Sequence, residues 1–250
     1  MGLKIKKYMI RSMKGIFICS LLYLFGPVAS QEISGLSGEE ISSYTENRYG
    51  PFTALINGEE YYYPYRQALG DPFFPVHDNN KASVRINGKV YENQQIKYDI
   101  YNNLVVLDFN DMNGASKSII LRSEWLDYFV LGNILFKKFR DEHGSERFGQ
   151  VIYEGDITCF YLWTKRYQPN TRFGESHYSF SDPFRHSFIL LNGELRPYNG
   201  RHSFLKCFPV KDRLYIKTYL KKNRIRIRRA SDADMSLLME FINQIQGNEK

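Results

Sequence analysis

The chain has 250 residues, 43% of them hydrophobic and 24% charged, a balance that excludes general disorder and suffices for one large core or two small ones. Its formal charge of +7 suggests nucleic acid or membrane until the charges are placed along the chain. Five of them, Lys4, Lys6, Lys7, Arg11 and Lys14, precede the apolar run Gly15 to Val28, which passes into Ala29-Ser30. A basic segment, a short apolar core and small residues make a secretory signal peptide, with cleavage expected after Ser30.

The run is shorter than the roughly 20 residues of a spanning helix; an uncleaved N-terminal anchor is the alternative. Cys19 follows Ile18 rather than a small residue, which argues against lipid attachment. Without the five basic residues, 29 Lys+Arg stand against 27 Asp+Glu, so residues 31–250 carry only +2. No nucleic-acid partner is therefore expected, and the processed chain is expected to be periplasmic, cell-surface or secreted and not integral to the membrane. The remaining charge is uneven. Residues 31–195 hold 16 basic and 22 acidic side chains, net −6, and residues 196–229 hold 12 basic and one acidic, net +11.

Residues 31–50 are polar, without periodicity, and read as a flexible lead-in. Phe52 to Tyr65 places an apolar run and an aromatic run about Asn57-Gly58, a hairpin pattern; the tyrosines 61–63 and 65 could stack on sugars or bases, but they are also strand formers beside Pro64. Pro72 and Pro75 mark a loop from 67 to 80. Ser83 to Phe109 is the clearest β-meander, with strands expected near 83–86, 89–101 and 104–109 about the turns Asn87-Gly88 and Asn102-Asn103. Asp108 to Gly114 resembles a calcium loop but puts Met112 at a ligand position and has no closing Glu, so a solvated turn is expected.

A short strand over 117–121 precedes Trp125 to Phe139, where Gly132-Asn133 predicts another hairpin. Residues 140–148 read as an exposed loop, and Gly149 to Tyr167 as two strands joined at Glu154-Gly155-Asp156. Residues 168–186 lack periodicity and read as one long loop, a kind of segment that often carries function. Asn192-Gly193 centres a last hairpin. Helices are then expected over 204–208, 210–223 and from the cap Ser231 onward, the last with Met235, Leu238, Met239, Ile242 and Ile245 on one face.

The resulting fold class is mainly β with C-terminal helices (α+β): an antiparallel curved sheet or partial barrel over 51–198, followed by two or three helices over 199–250 packed on the sheet. A separate helical subdomain from about 199 is the alternative. The second half is similar to a set of secreted β-rich proteins of Bacteroidota-type bacteria. The likeness rests on Gly149 with Val151-Ile152-Tyr153-Glu154-Gly155-Asp156, Phe188 to Leu195, Ser203-Phe204-Leu205 before Phe208, and a Lys-rich helix followed by a basic run and an amphipathic helix. Val90-Tyr91 and Ile96 to Tyr101 extend it to roughly 83–245. The resemblance implies a periplasmic or surface location and carries over no functional residues.

Chemistry-bearing patterns are few. Gly174-Glu175-Ser176 keeps half of a nucleophile elbow, and His177, Asp182, His186 and Ser187 offer a Ser/His/Asp set that only spatial geometry could confirm. His177, His186 and His202 lack metal-ligand spacing, and no Gly-rich phosphate loop occurs, so no metal or cofactor is expected. Cys159 and Cys207, 48 positions apart, are either a disulfide, contributing on the order of 3–4 kcal/mol, or two buried thiols. Lys221, Lys222, Arg224, Arg226, Arg228 and Arg229 alternate with Ile225 and Ile227. If extended, they form a cationic face for an anionic surface or envelope component; otherwise they form a solvated face complementing the acidic body. The functional expectation is an exported envelope protein, a non-enzymatic binding or structural module. The alternatives are a hydrolase with its site in 168–186 and an anion-binding module over 221–229.

Overall fold

Turn chemistry sets the strand spacing. Asn87 and Gly88 take φ of 49° and 80°, and Asn192 and Gly193 take 53° and 78°, the two left-handed residues of a tight I′ hairpin. Gly132 alone is positive in the Gly-Asn turn, the II′ arrangement. These features come from a computed structural model that describes residues 55, 58–76, 82–111, 113–140, 144–170 and 176–247. The expected signal peptide, the lead-in and nearly all of the first arm of the Asn57-Gly58 hairpin lie outside them.

The strands are β1 (Glu59–Glu60), β2 (Ala68–Leu69), β3 (Ala82–Ile86), β4 (Lys89–Asp99), β5 (Leu104–Asn110), β6 (Ser116–Ile120), β7 (Leu126–Leu131) and β8 (Ile134–Arg140). They continue as β9 (Glu146–Tyr153), β10 (Ile157–Thr164), β11 (Tyr167–Pro169), β12 (Tyr178–Phe180), β13 (Phe184–Leu191) and β14 (Glu194–Tyr198). Eleven form one antiparallel sheet in the order β1-β6-β5-β4-β3-β7-β8-β9-β10-β13-β14. Among the described residues it has two free ends, and it does not close into a barrel. Three helices follow, α1 (Arg201–Lys206), α2 (Arg213–Lys222) and α3 (Asp232–Gly247), with a 3₁₀ turn at Ile227–Arg229.

The long strand β4 turns this ribbon into a layered body. Its first half pairs with β3 and its second half, Gln95 to Asp99, with β5. Between them Ala82 faces Gln94 but Val84 faces Tyr91, so one extra residue bulges near Asn93, whose φ is 56°. A bulge bends and twists its strand, and here it carries Tyr98 over β7–β9, with its ring 5.3 Å from both Phe129 and Phe136. The first core gathers there around Val84, Tyr98, Leu107, Leu126, Phe129 and Phe136. A second core lies under the helices, with Met235, Leu238, Met239 and Ile242 of α3 packed with Ile157, Cys159 and Ile189. Trp163 touches both. Ser231 caps α3 by accepting from the Asp234 N–H at 3.1 Å, as its sequence predicted.

Three expectations are corrected. β4 ends at Asp99, and the turn to β5 is a four-residue loop rather than the Asn102-Asn103 pair. The Asp99 carboxylate accepts from the N–H groups of Tyr101 (3.0 Å) and Asn102 (2.8 Å), leaving Asn103 alone at positive φ. Apart from these three, Glu59 and Glu60 of the second arm of the expected Asn57-Gly58 hairpin pair with β6, while the pairing of the two arms rests on residues outside the described ones. Gly58 is needed there for close approach, since a Cβ would lie 2.1 Å from the Ile120 carbonyl oxygen. Residues 168–186 are not one loop: β11 and β12 pair, β12 adds β2 in parallel, and β13 begins at Phe184. The fold is therefore not wholly antiparallel. This small sheet and Tyr101 hold Tyr65 in a cluster with Tyr167 (5.1 Å) and Phe180 (5.0 Å), so that tyrosine serves packing. Finally, residues 224–229 are not a strand, as described below.

Candidate functional site

α2 ends in a Schellman motif: the Ile225 N–H reaches the Leu220 carbonyl at 3.0 Å and the Arg224 N–H reaches Lys221 at 3.3 Å. That closure needs a left-handed residue, which Arg224 supplies with φ of 55°. The chain then turns through the 3₁₀ segment, with Ile227 buried as its anchor. The alternation seen in the sequence is real, with Ile225 and Ile227 facing inward and Arg224, Arg226, Arg228 and Arg229 outward. It arises from a helix end and a turn rather than from extended backbone.

The turn sends Arg228 away from its neighbours. Its Nε donates to the Asn199 carbonyl at 3.0 Å, and Gly200 leaves room for it, since a Cβ there would lie 3.1 Å from that nitrogen. Arg185, from the start of β13, donates to the Arg228 carbonyl at 3.3 Å, and its guanidinium lies 4.5 Å from the centre of the Tyr161 ring. Ser203 in α1 accepts from the Asn199 and Gly200 N–H groups at 3.0 and 3.2 Å, fixing the loop between them. These groups border a cleft of about 690 Å³ where β13 and β14 meet the helical segment. Tyr198, on the same face of the sheet as Arg185, completes its chemistry, while His186 and Phe188 border it from the opposite face of β13, and among the described residues no carboxylate lines it. Among the described residues, neither guanidinium is in an ion pair.

The His186 imidazole contacts the Thr164 hydroxyl at 3.0 Å. Burial holds it below the usual histidine range, and the Arg147 and Arg166 cations add to this. Its neighbour Ser187 is buried on the opposite face of β13, since successive strand residues alternate. His177 and Asp182 are exposed, and no hydrogen bond joins either side chain to His186. The Ser/His/Asp set therefore does not assemble as a nucleophile, base and orienting acid.

Of the six basic residues singled out from sequence, only Arg228 enters the cleft; Lys221, Lys222, Arg224, Arg226 and Arg229 are exposed outside it. Arg185 was missed because its stretch read as loop. Strand alternation over 184–191, FRHSFILL, is the signal that marks it. Cys159 and Cys207 are buried free thiols. The Cys159 sulfur sits 3.4 Å from the Tyr198 hydroxyl, and Cys207 donates to the Ser203 carbonyl at 3.4 Å. Among the described residues no cluster of three His, Cys, Asp or Glu could hold a metal ion, and no helix is long and apolar enough to cross a membrane.

The Asp108 to Gly114 segment is held by its own carboxylate: Asp111 accepts from the N–H groups of Asn113 (2.9 Å) and Ala115 (3.0 Å) and pairs with Lys117 at 3.2 Å. The Ala115 hydrogen bond and then the Lys117 partner keep that carboxyl below its ordinary range.

Comparison with family models, curated proteins and solved structures returns no match for this chain.

Proposed function

We propose that the protein is an exported, non-enzymatic binding module of the cell envelope, and that its ligand is a small molecule carrying negative charge, held between Arg185 and Arg228. The observation that carries this reading is a cleft of about 690 Å³ bordered by Arg185 and Arg228, with no carboxylate lining it among the described residues. Guanidinium groups present forked donors matched to phosphate and carboxylate. Both are already oriented here, Arg228 by the Asn199 carbonyl and Arg185 by the Tyr161 ring, so less side-chain freedom is lost on binding. Apolar walls from Phe188, Pro197 and Ile227 favour an anion with an organic body. Export is supported by the basic, apolar and small-residue order of residues 1–30. Kinship with secreted β-rich proteins of Bacteroidota-type bacteria belongs to the same proposal.

Titration calorimetry at low salt with pyrophosphate, citrate and a sugar phosphate tests the cleft. Saturable binding of at least one, weakened by added salt and lost in Arg185→Gln and Arg228→Gln, is the expected result. Heats that never saturate for all three probes, or binding unchanged in both variants, would refute it. Mass spectrometry of the protein recovered outside the cytoplasm is expected to show Gln31 at the N-terminus.

A further inference from the structure

Helix α2 and the turn before it expose apolar side chains that the fold leaves uncovered. Val210 is 76% exposed, Leu214 69% and Tyr215 61%. Single exposed apolar residues are ordinary, but these three are neighbours, and their surroundings are basic. α2 buries Ile216 and Leu220. At about 100° per residue, Lys217, Lys221, Leu214, Thr218, Lys222 and Tyr215 fall within about 160° of arc on the other side. Residues 210–229 hold nine basic side chains and one acid. That acid, Asp212, is 2% exposed and accepts from Gln246 at 2.9 Å, so no carboxylate of this stretch faces outward. The result is a cationic face with an apolar centre. Arg224, held left-handed at the helix end, and the exposed Arg226 extend it beyond the last turn.

We infer that this face docks on an anionic phospholipid bilayer, with Val210, Leu214 and Tyr215 entering the headgroup boundary and Lys217, Lys221, Lys222 and Arg224 meeting lipid phosphates. An amphipathic helix with basic residues beside exposed apolar ones lies in the plane of such an interface, held jointly by apolar burial and by charge. Nucleic acid would satisfy the lysines but offers its phosphates nothing to match Val210 and Leu214. A solvated basic face would satisfy the charges and leave the apolar trio unexplained. The inference rests on the envelope location proposed above and is independent of the cleft.

Co-sedimentation with vesicles of phosphatidylcholine alone and with one-third phosphatidylglycerol tests it, using the protein purified as exported and each variant in the same form. Binding at least tenfold stronger to the anionic vesicles is expected, falling steeply with salt. Lys217→Glu combined with Lys221→Glu is expected to remove the difference between the two vesicle types. Leu214→Ser with Tyr215→Ser should weaken anionic binding about tenfold while keeping its salt dependence, and because both positions are solvent-facing, unchanged circular dichroism confirms an intact fold. Arg185→Gln should leave vesicle binding unchanged, which separates this surface from the cleft. Equal affinity for both vesicle types, no sedimentation with either, or binding unaffected by the Leu214 and Tyr215 substitutions would overturn the inference. Capture of an acidic protein in place of the vesicles would do the same.

Discussion

Gln150 Nε2 donates to Asp232 Oδ2 at 2.6 Å, joining strand β9 to the first turn of α3 across 82 positions of sequence. Gln150 is 3% exposed, and its other amide atom accepts from the Trp163 indole N–H at 2.9 Å. One amide thus fixes the ring shared by both cores and the start of the helix that covers the second. Gln150→Leu keeps the volume and removes both bonds, leaving the indole N–H without its partner. It is expected to lower unfolding stability by about 1–3 kcal/mol, read as a shifted urea midpoint at constant slope. A change under a few tenths of a kcal/mol would show that the bridge is not structural.

Arg224 occupies the position where helices usually end in glycine. A left-handed L-residue carries a steric cost of roughly 1–2 kcal/mol, partly offset by the lower unfolded-state entropy of a non-glycine residue. Arg224→Gly is therefore expected to raise stability by about 0.5–1 kcal/mol, and Arg224→Val to lower it by about 1 kcal/mol, because a β-branched residue fits that region worst. Thermal unfolding of the pair checks both signs. A loss in the glycine variant would show that the arginine is held there by contacts stronger than its backbone cost.

These devices differ in how visible they are before the fold is known. The turns at Asn87-Gly88, Gly132-Asn133 and Asn192-Gly193 were legible because backbone sign is a local property of two residues. The cap and apolar face of α3 were legible because a helix repeats its face every three or four positions. The bulge at Asn93 was not, since nothing in the polar run Glu92 to Gln95 marks a bend. The small sheet was hidden for another reason: Tyr178 and Ser179 pair with Ala68 and Leu69, a partner about a hundred residues away and too short to show alternation. The cleft combines both difficulties. Arg228 stood out within its basic run, but Arg185 lies 43 positions earlier in a stretch that read as loop.

The buried thiols make alkaline stability measurable. Burial pushes Cys159 up to about 12 and Cys207 up to about 11, from an ordinary value of 9.0. Both folded values exceed the unfolded ones, so the unfolded chain releases these protons first. Their contribution is fully present below pH 9 and is lost as pH rises toward 11–12. Burial also raises Tyr98, Tyr161 and Tyr198, whose ordinary value is 10.0, so the window between pH 9 and 10 belongs mainly to the cysteines. Stability is expected to fall across that window and to flatten in the Cys159→Ala, Cys207→Ala double variant. In the native protein neither thiol should react with a disulfide reagent at pH 8 until the chain unfolds. Rapid native labelling of Cys159 would contradict its burial.

Gly149 lies beneath a pair of stacked rings. Phe139 and Phe160 face each other at 3.7 Å and 3°, and a Cβ on Gly149 would approach 2.9 Å from each ring and 3.1 Å from Leu162. Phe160 in turn stacks on Phe188 at 5.5 Å, so the row crosses β8, β10 and β13 and lies over the central strand β9. The missing side chain is what lets the rings close over the sheet, and three neighbours would have to move at once to admit a methyl group. Overpacking of this kind costs about 1–3 kcal/mol, so Gly149→Ala is expected to lower unfolding stability by that amount, read from the shift of the urea midpoint at constant slope. Pairing it with Phe139→Leu separates steric crowding from a backbone effect. If crowding is the cause, the double variant loses less than the sum of the two single losses. Additive losses would place the cost in the strand backbone instead.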